Sequence, residues 1–337
     1  MRETFREYMK LIRLPGLMGL AITPVAGALI VNTISFFPLF YLYIIGVISK
    51  IYGFVMNDYF DVELDKLSND LSNRALVKGT ISKRNALHII LACFLIGYLA
   101  IFVFFFRNHP YFYIGLFCII IADILTITYN KYGKKLIGSD FFIALAESLF
   151  LLFGALMVLT NNPPGIFFWI IFVLLFNEQL YMNAIAGGLK DADHDPLMNV
   201  KNIALTSGVE VKKDKTLVIP SSFKIFGYGE RIASAFLVFS PFIFFGFEYE
   251  LWQIILLLFI IVVIFYENHK LLNIKKFERK RILKLIGIQL ITWQFLVPFM
   301  LFLQLGWTGF FIIWGLPAFG FVFFSILTKE KILDTQM

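Results

Sequence analysis

Two short acidic stretches stand out in an otherwise apolar chain. The first is NDYFDVELD, in which Asn57, Asp58, Asp61 and Asp65 follow a long hydrophobic run. Asn57, Asp61 and Asp65 are spaced four apart, so on a helix they stack along one face. The second stretch, DADHD, has Asp191 and Asp195 at the same spacing, and Asn183 and Gly187 extend that face backward. Carboxylates crowded at a helix end raise one another's pKa, and at a C-terminal end the helix dipole opposes them further. A multivalent cation relieves both effects. Asp and Asn oxygens are hard ligands that suit Mg²⁺, which keeps part of its shell for water and substrate phosphates. With Arg74, Lys78 and other basic residues in the adjoining loops, two such helix ends facing each other would clamp a diphosphate. The metal set is then Asn57, Asp58, Asp61, Asp65, Asp191 and Asp195, with Asp61, Asp65, Asp191 and Asp195 as the catalytic core. His194, between the stacked positions, reads as a bystander. Asp140 lies outside both motifs and is expected to tolerate neutralisation.

The elements that must carry these residues are membrane helices. Hydrophobic residues are 59% of the 337 and charged residues only 16%, against roughly a quarter charged in soluble domains. Runs of about 20 apolar residues, enough to cross a ~30 Å hydrocarbon core, fall near 14–33, 37–57, 85–106, 111–130, 138–159, 165–187, 231–247, 250–268, 284–304 and 308–327. The expected fold is all-α, a polytopic bundle of nine to ten transmembrane helices forming one domain over 1–337. Lys and Arg gather on one side: Arg2, Arg6, Lys10 and Arg13, the loops after the second, fourth, sixth and eighth runs, and Lys329 and Lys331. The other side has Arg107, with Glu248 and Glu250. By the positive-inside rule the basic side is cytoplasmic. The formal charge of +7 therefore implies contact with anionic lipid, and no nucleic acid.

The two longest basic-side loops, 58–84 and 188–230, each begin with an acidic motif and are read as cap loops. Within the second, VEVKKDKTLVIP alternates β-branched residues about a KKDK turn, which predicts a hairpin near 209–219. Aligning Asp61 with Asp191 and Asp65 with Asp195 suggests two related halves. The opening LPGLMGLAITPVAGA ends in a cleavage-like AGA, but its long mixed-charge leader and the many later runs favour a first span. Cys93 and Cys118 fall inside runs and read as free thiols. Inside the runs, Lys50, Asp123, Glu147 and Glu178 are costly in hydrocarbon and are functional candidates by default. Lys50 lies seven residues before Asn57 on the same face, able to serve the substrate site or to pair with Glu147.

The sequence N57-D58-Y-F-D61-V-E-L-D65 resembles the Asn-Asp-x-x-Asp-x-x-x-Asp signature of the UbiA-type intramembrane prenyltransferases, and D191-A-D-H-D195 resembles their second motif. NRALVKGTIS keeps the family's Arg (Arg74), Gly79 and Ser82, with Ala75 where Pro is usual. YNKYGKK is similar to the family's Tyr-to-Lys stretch, and KLIRLPG to its opening. The resemblance implies diphosphate-binding roles for Arg13, Tyr129, Lys134 and Lys135. It also implies Mg²⁺-dependent transfer of an isoprenyl group from a polyprenyl diphosphate donor to a lipophilic acceptor in the bilayer. The general character of the chain leans toward an archaeal-type glycerol ether lipid synthase, with a quinone or other aromatic acceptor as the alternative. An ion-coupled transporter would place its acids near the midplane beside broken helices, whereas here they gather at one membrane face. If loops 58–84 and 188–230 share the cytoplasmic side, cysteines introduced at Lys78 and Lys213 will react with an impermeant reagent from that side alone. Labelling from opposite sides would separate the two motifs.

Overall fold

The computed structural model describes residues 2–67, 71–106 and 110–328. Arg107, Lys329 and Lys331 lie outside the described residues. In chain order the helices are α1 (Arg2–Leu11), α2 (Leu14–Leu20), α3 (Thr23–Ile30), α4 (Phe36–Asp65), α5 (Lys83–Phe105), α6 (Phe112–Tyr132), α7 (Asp140–Leu156), α8 (Ile166–Leu180) and α9 (Gly188–Lys190). They continue as α10 (Ile203–Thr206), α11 (Ser221–Phe244), α12 (Leu251–Leu272), α13 (Arg279–Trp293), α14 (Leu296–Met300), α15 (Phe302–Phe310) and α16 (Leu316–Thr328). A two-stranded ribbon, β1 (Glu210–Val211) with β2 (Leu217–Val218), lies between α10 and α11. Among the described residues the fold is all-helical apart from this ribbon.

Among the described residues, seven helical segments are long and apolar enough to cross a membrane: 36–65, 83–105, 112–135, 166–190, 251–272, 279–300 and 302–324. Three expected runs take other forms. The run 14–33 is split into α2 and α3, each with a proline in its first two positions, because proline cannot continue a preceding helix. The run 138–159 becomes the 17-residue α7. The run 231–247 falls in the second half of α11 and the turn after Phe244, and the first half of that helix carries Lys224, Glu230 and Arg231.

By internal contacts the chain divides into two compact units, 1–131 with 149–163 and 311–337, and 132–148 with 164–310. In the first unit, α4 has 30 residues and is about 45 Å long at 1.5 Å per residue. It therefore crosses an apolar layer and still presents its last turns, 57–65, beyond it. The following turns are anchored by an apolar cluster that joins Leu11, Val55, Val62, Ala75, Leu76, Ile81 and Ala86. That cluster brings Arg74 back onto the end of α4. Helix α5 starts where Ser82 accepts a hydrogen bond from the Asn85 amide at 3.1 Å, a standard N-cap.

In the second unit, α8 passes into a π-helical stretch, Tyr181–Gly187, before α9 ends at Lys190. Ala144, Leu180 and Ala184 form a small core with Phe176, Ile203 and Phe226. Gly188 allows the short α10 to approach closely, since a Cβ there would lie 2.5 Å from the Ala204 methyl.

Small residues set the tightest helix contact in the first unit. A Cβ on Gly154 would stand 1.8 Å from the Pro24 carbonyl oxygen, and one on Gly27 would stand 2.0 Å from that of Leu151. Such close backbone approach is what glycine permits between membrane helices. Gly154→Leu is expected to cost about 3 kcal/mol or more by overpacking, read as a fall in detergent Tm. Gly53→Ala, where nothing lies within 4 Å, should leave Tm unchanged or raised. Equal Tm values for the two variants would remove the packing argument.

Candidate active site

In the first unit the motif occupies the C-terminal turns of α4. Asn57 Nδ2 donates to Asp61 Oδ2 at 3.2 Å and to Asn130 Oδ1 at 3.2 Å. Arg13 Nη2 donates to Asp58 Oδ1 at 2.7 Å and approaches Asn57 Oδ1 at 3.5 Å. Arg74 Nη1 bonds to Asp65 Oδ2 and lies 3.4 Å from Asp58 Oδ1. Asp58 thus stands between two guanidiniums. Asp58, Asp65 and Arg74 are all buried, and Asp61 is half-buried.

These cations answer the repulsion and unfavourable helix dipole expected at this end of α4. Arg13 reaches the motif from a left-handed backbone conformation, φ 50°, which an ordinary residue adopts at a cost of about 1 kcal/mol or more. The flanking helix α2 then leads away from the site.

Deeper in the same unit, the Asp123 carboxylate accepts bonds from the Tyr52 hydroxyl and, at 2.7 Å, from the Tyr98 hydroxyl. Lys50 is buried, with its ammonium 5.6 Å from the Phe150 ring centroid. Tyr129 is half-buried next to Asn130, and Lys78 is exposed.

In the second unit the helix expected to carry Asp191 and Asp195 on one face ends at Lys190. The π-helical turn winds more residues per turn than an α-helix, so the period-four alignment with Asn183 and Gly187 does not hold. Residues 191–194 form turns, and a 3-10 helix runs from Asp195 to Met198. One α-type bond, Asp195 N–H to Asp191 O at 3.1 Å, keeps the two aspartates adjacent.

Arg279 Nη2 donates to Asp191 Oδ1 at 2.8 Å, and Lys190 Nζ is 3.7 Å from Asp191 Oδ2. Burial opposes ionisation of Asp191, but Lys190, Lys134 and Arg279 outweigh it and hold its carboxyl well below the usual range. Asp195 is buried more deeply. Asn202 Nδ2 donates to Asp195 Oδ2 at 2.8 Å, and Lys134 Nζ lies 3.5 Å from Oδ1. Burial pushes its carboxyl up, and the charge of Asp191 adds to this against the pull of Lys134. Lys134 is held in place by its own carbonyl, which accepts from the Lys201 amide at 2.9 Å. Lys135 is exposed.

His194, read as a bystander between the stacked positions, is buried, with Nδ1 2.8 Å from Asp193 Oδ1 and Nε2 3.9 Å from Asp191 Oδ1. Asp140 is buried and feels the charges of Lys134 and Asp195, so it is no neutral control. The exposed Glu248 serves better. Sequence reasoning also passed over Asn130, Asn202 and Arg279. Asn202 carried a readable signal, since an Asn directly before IALT is a favoured N-cap; its Oδ1 does accept from Leu205 N at 2.8 Å.

Glu178 found a partner the sequence did not suggest. Arg231 bonds to it, donates to Gln289 Oε1 at 3.0 Å and lies 3.4 Å from the Tyr181 ring centroid.

The donor set suits a hard cation. Asp and Asn oxygens predominate, and buried Asp195 Oδ1 has no hydrogen-bond partner. Among the described residues no three Asp, Glu, His or Cys side chains converge into a ready-made metal site. Mg²⁺ is commonly held by one or two carboxylates and completed by substrate phosphates and water.

The model of the UbiA prenyltransferase family matches residues 20–284. The chain belongs to this family, and it is an integral membrane prenyltransferase. It is 24% identical over 222 residues to digeranylgeranylglyceryl phosphate synthase of Saccharolobus solfataricus, covering 61% of this chain and 70% of that one. It is 25% identical over 219 residues to protoheme IX farnesyltransferase of Protochlamydia amoebophila, covering 63% and 73%. Among solved structures, a UbiA homologue from Archaeoglobus fulgidus bound to DMAPP and Mg²⁺ aligns with a TM-score of 0.61 at 16% identity, over 91% of this chain and 99% of that one. A digeranylgeranylglyceryl phosphate synthase aligns with a TM-score of 0.62 at 19% identity, over 88% and 97%.

Removing Arg74 would leave Asp58 with one partner and Asp65 buried without its guanidinium. Arg74→Met is expected to cost about 3–5 kcal/mol, seen as a large fall in detergent Tm. Adding Asp65→Asn should recover much of the loss. A single variant with unchanged Tm would show that the pair is not holding the 71–82 turns.

Proposed function

We propose that the chain is a Mg²⁺-dependent transferase that moves a geranylgeranyl-type group from its diphosphate to a glyceryl phosphate ether acceptor. The observation that carries this reading is the pair of aspartate motifs, each already engaged by basic side chains, in a member of a prenyltransferase family. Similarity to three digeranylgeranylglyceryl phosphate synthases supports the acceptor class. The family match runs through segments of both units, which supports a single catalytic domain over 1–337.

Asn57, Asp58, Asp61, Asp65, Asp191 and Asp195 would hold Mg²⁺ through carboxylate and amide oxygens. The metal, when bound, neutralises charge on the diphosphate leaving group. Arg13, Arg74 and Lys134 already sit against those carboxylates, and they turn part of their charge to the diphosphate oxygens as it binds. Because negative charge grows on the leaving group in the transition state, fixed cations there lower the barrier. Lys78, Tyr129 and Lys135 line the approach of the donor headgroup. Lys50, two turns before Asn57, contributes positive potential from within the apolar layer. The apolar helices shelter the allylic centre from water. We further propose that nine to ten segments span the cell membrane and that 58–84 and 188–230 cap the site on the cytoplasmic side, in line with the lysine and arginine distribution.

Purified protein incubated with labelled geranylgeranyl diphosphate and a panel of acceptors tests the assignment. Transfer is expected to geranylgeranylglyceryl phosphate, lost with EDTA and restored by Mg²⁺. Asp61→Asn and Asp191→Asn should each lower turnover about 100-fold, with helix content intact and Glu248→Gln unaffected. Transfer only to a porphyrin or phenolic ring would move the acceptor to the aromatic class. Full activity in both motif variants would end the reading altogether.

A further inference from the structure

The ribbon between α10 and α11 does more than close a loop. Its turn, Lys212 to Lys215, is sealed by Lys212 N–H to Thr216 O and Lys215 N–H to Lys212 O, both 2.9 Å. Lys215 adopts φ 63°. The Asp214 carboxylate accepts from the Thr216 amide at 3.1 Å and from its hydroxyl at 2.8 Å. A turn stiffened in this way holds the outer edge of β2 at a fixed angle.

That edge is occupied. Leu217 N–H donates to Lys275 O at 2.9 Å, Phe277 N–H donates to Lys215 O at 2.8 Å, and Thr216 pairs antiparallel with Lys276. Residues 275–277 thus form a third strand in all but length. Val209, Leu217, Ile274 and Phe277 are buried beneath it. Without the ribbon, 273–278 would be a linker between α12 and α13 whose ordering is opposed by backbone entropy.

Two residues beyond Phe277, Arg279 opens α13. Its side chain is 7% exposed, it bonds to Asp191 Oδ1 at 2.8 Å, and its Nη1 lies 3.7 Å from Asp193 Oδ1. Nη1 is buried without a hydrogen-bond partner, so the protein itself does not saturate this guanidinium. A single bond from Arg279 orients Asp191 only if the Arg279 backbone is itself fixed, and the strand that the ribbon holds ends two residues before it, at the start of α13.

We propose that the β1–β2 ribbon is a positioning device, which clamps 275–277 so that Arg279 holds Asp191 in its ligand orientation. Arg279 is accordingly a positioning residue. The inference rests on reading Asp191 as a ligand of the metal–diphosphate group. The ribbon shapes metal and donor binding from a distance, and the 209–219 insert belongs to the working part of the molecule.

A double-mutant cycle tests this. In one arm, residues 210–218 are replaced by two glycines; in a milder arm, Leu217→Pro removes the N–H that reaches Lys275 together with one buried side chain. Each is combined with Arg279→Gln. The readouts are the Mg²⁺ concentration for half-maximal activity, KM for geranylgeranyl diphosphate against kcat, and the Tm rise produced by Mg²⁺ with geranylgeranyl thiodiphosphate. Arg279→Gln and the ribbon change should each raise the Mg²⁺ requirement and KM about 10-fold, the scale of groups that orient ligands. Their combination should do little more than either alone, since both act through one contact. Arg279→Lys should restore part of the effect, and Lys213→Ala should match wild type. Wild-type Mg²⁺ response in a ribbon variant, or effects that multiply in the combination, would overturn the proposal. If the glycine replacement yields no folded protein, Leu217→Pro decides. Asp191→Asn with an undiminished Mg²⁺ response would instead sink the functional reading beneath it.

Discussion

The structure depends on neutralising carboxylates that are buried beside hydrocarbon. An ionised carboxyl out of water costs several kcal/mol unless it is paired and hydrogen-bonded. Asp58, Asp65, Asp191 and Asp195 are all drawn into protein, and each has a cation or amide against it. Much of the local architecture follows from supplying those partners. Arg13 arrives through a left-handed residue, Arg74 through the apolar cluster under 71–81, Lys134 through a backbone bond to Lys201, and Arg279 through a clasped strand.

The same constraint separates residues that bind from residues that hold. In the second unit, Glu178, Arg231, Gln289 and Tyr181 tie α8, α11 and α13 together through charge and hydrogen bonds deep in the apolar layer. In the first, Tyr52 and Tyr98 close on Asp123. Each of these acids is bonded by side chains from other helices. At the motif ends the partners are cations, and, like Arg231 Nε in the second unit, Arg13 Nε and Arg74 Nε are buried without hydrogen bonds. A ligand rich in oxygen can enlist those donors without first breaking a helix-to-helix tie.

Much of this was legible in the chain itself. The first motif announces itself because its period matches the α-helix it ends, and α4 stays regular to Asp65. Lys134 could be read because it sits three residues from Lys131 in a short basic turn between two apolar runs. Arg279 could not: it is one of seven basic residues in a single loop, and only the pairing of 275–277 with β2 distinguishes it. Asn130 was hidden within a helix, where its bond to Asn57 spans 73 positions. The broken first run was legible in retrospect, since Pro15 and Pro24 both forbid a continuous helix. The geometry of Asp191 was misread because period-four counting assumes α-helical winding, and the chain departs from it between Tyr181 and Gly187.

The π-helical stretch from Tyr181 to Gly187 has a consequence of its own. Such a stretch amounts to an extra residue absorbed without breaking the helix. Loss of one residue there would let the segment relax into ordinary α-winding, and at 3.6 residues per turn everything downstream would swing by about 100°. Asp191 would then point away from Arg279, while Glu178, upstream, kept its place. The aim of the second motif is thus set by an indel-sized irregularity in mid-helix, and a family member one residue shorter at this point would need a different cation to face its aspartate.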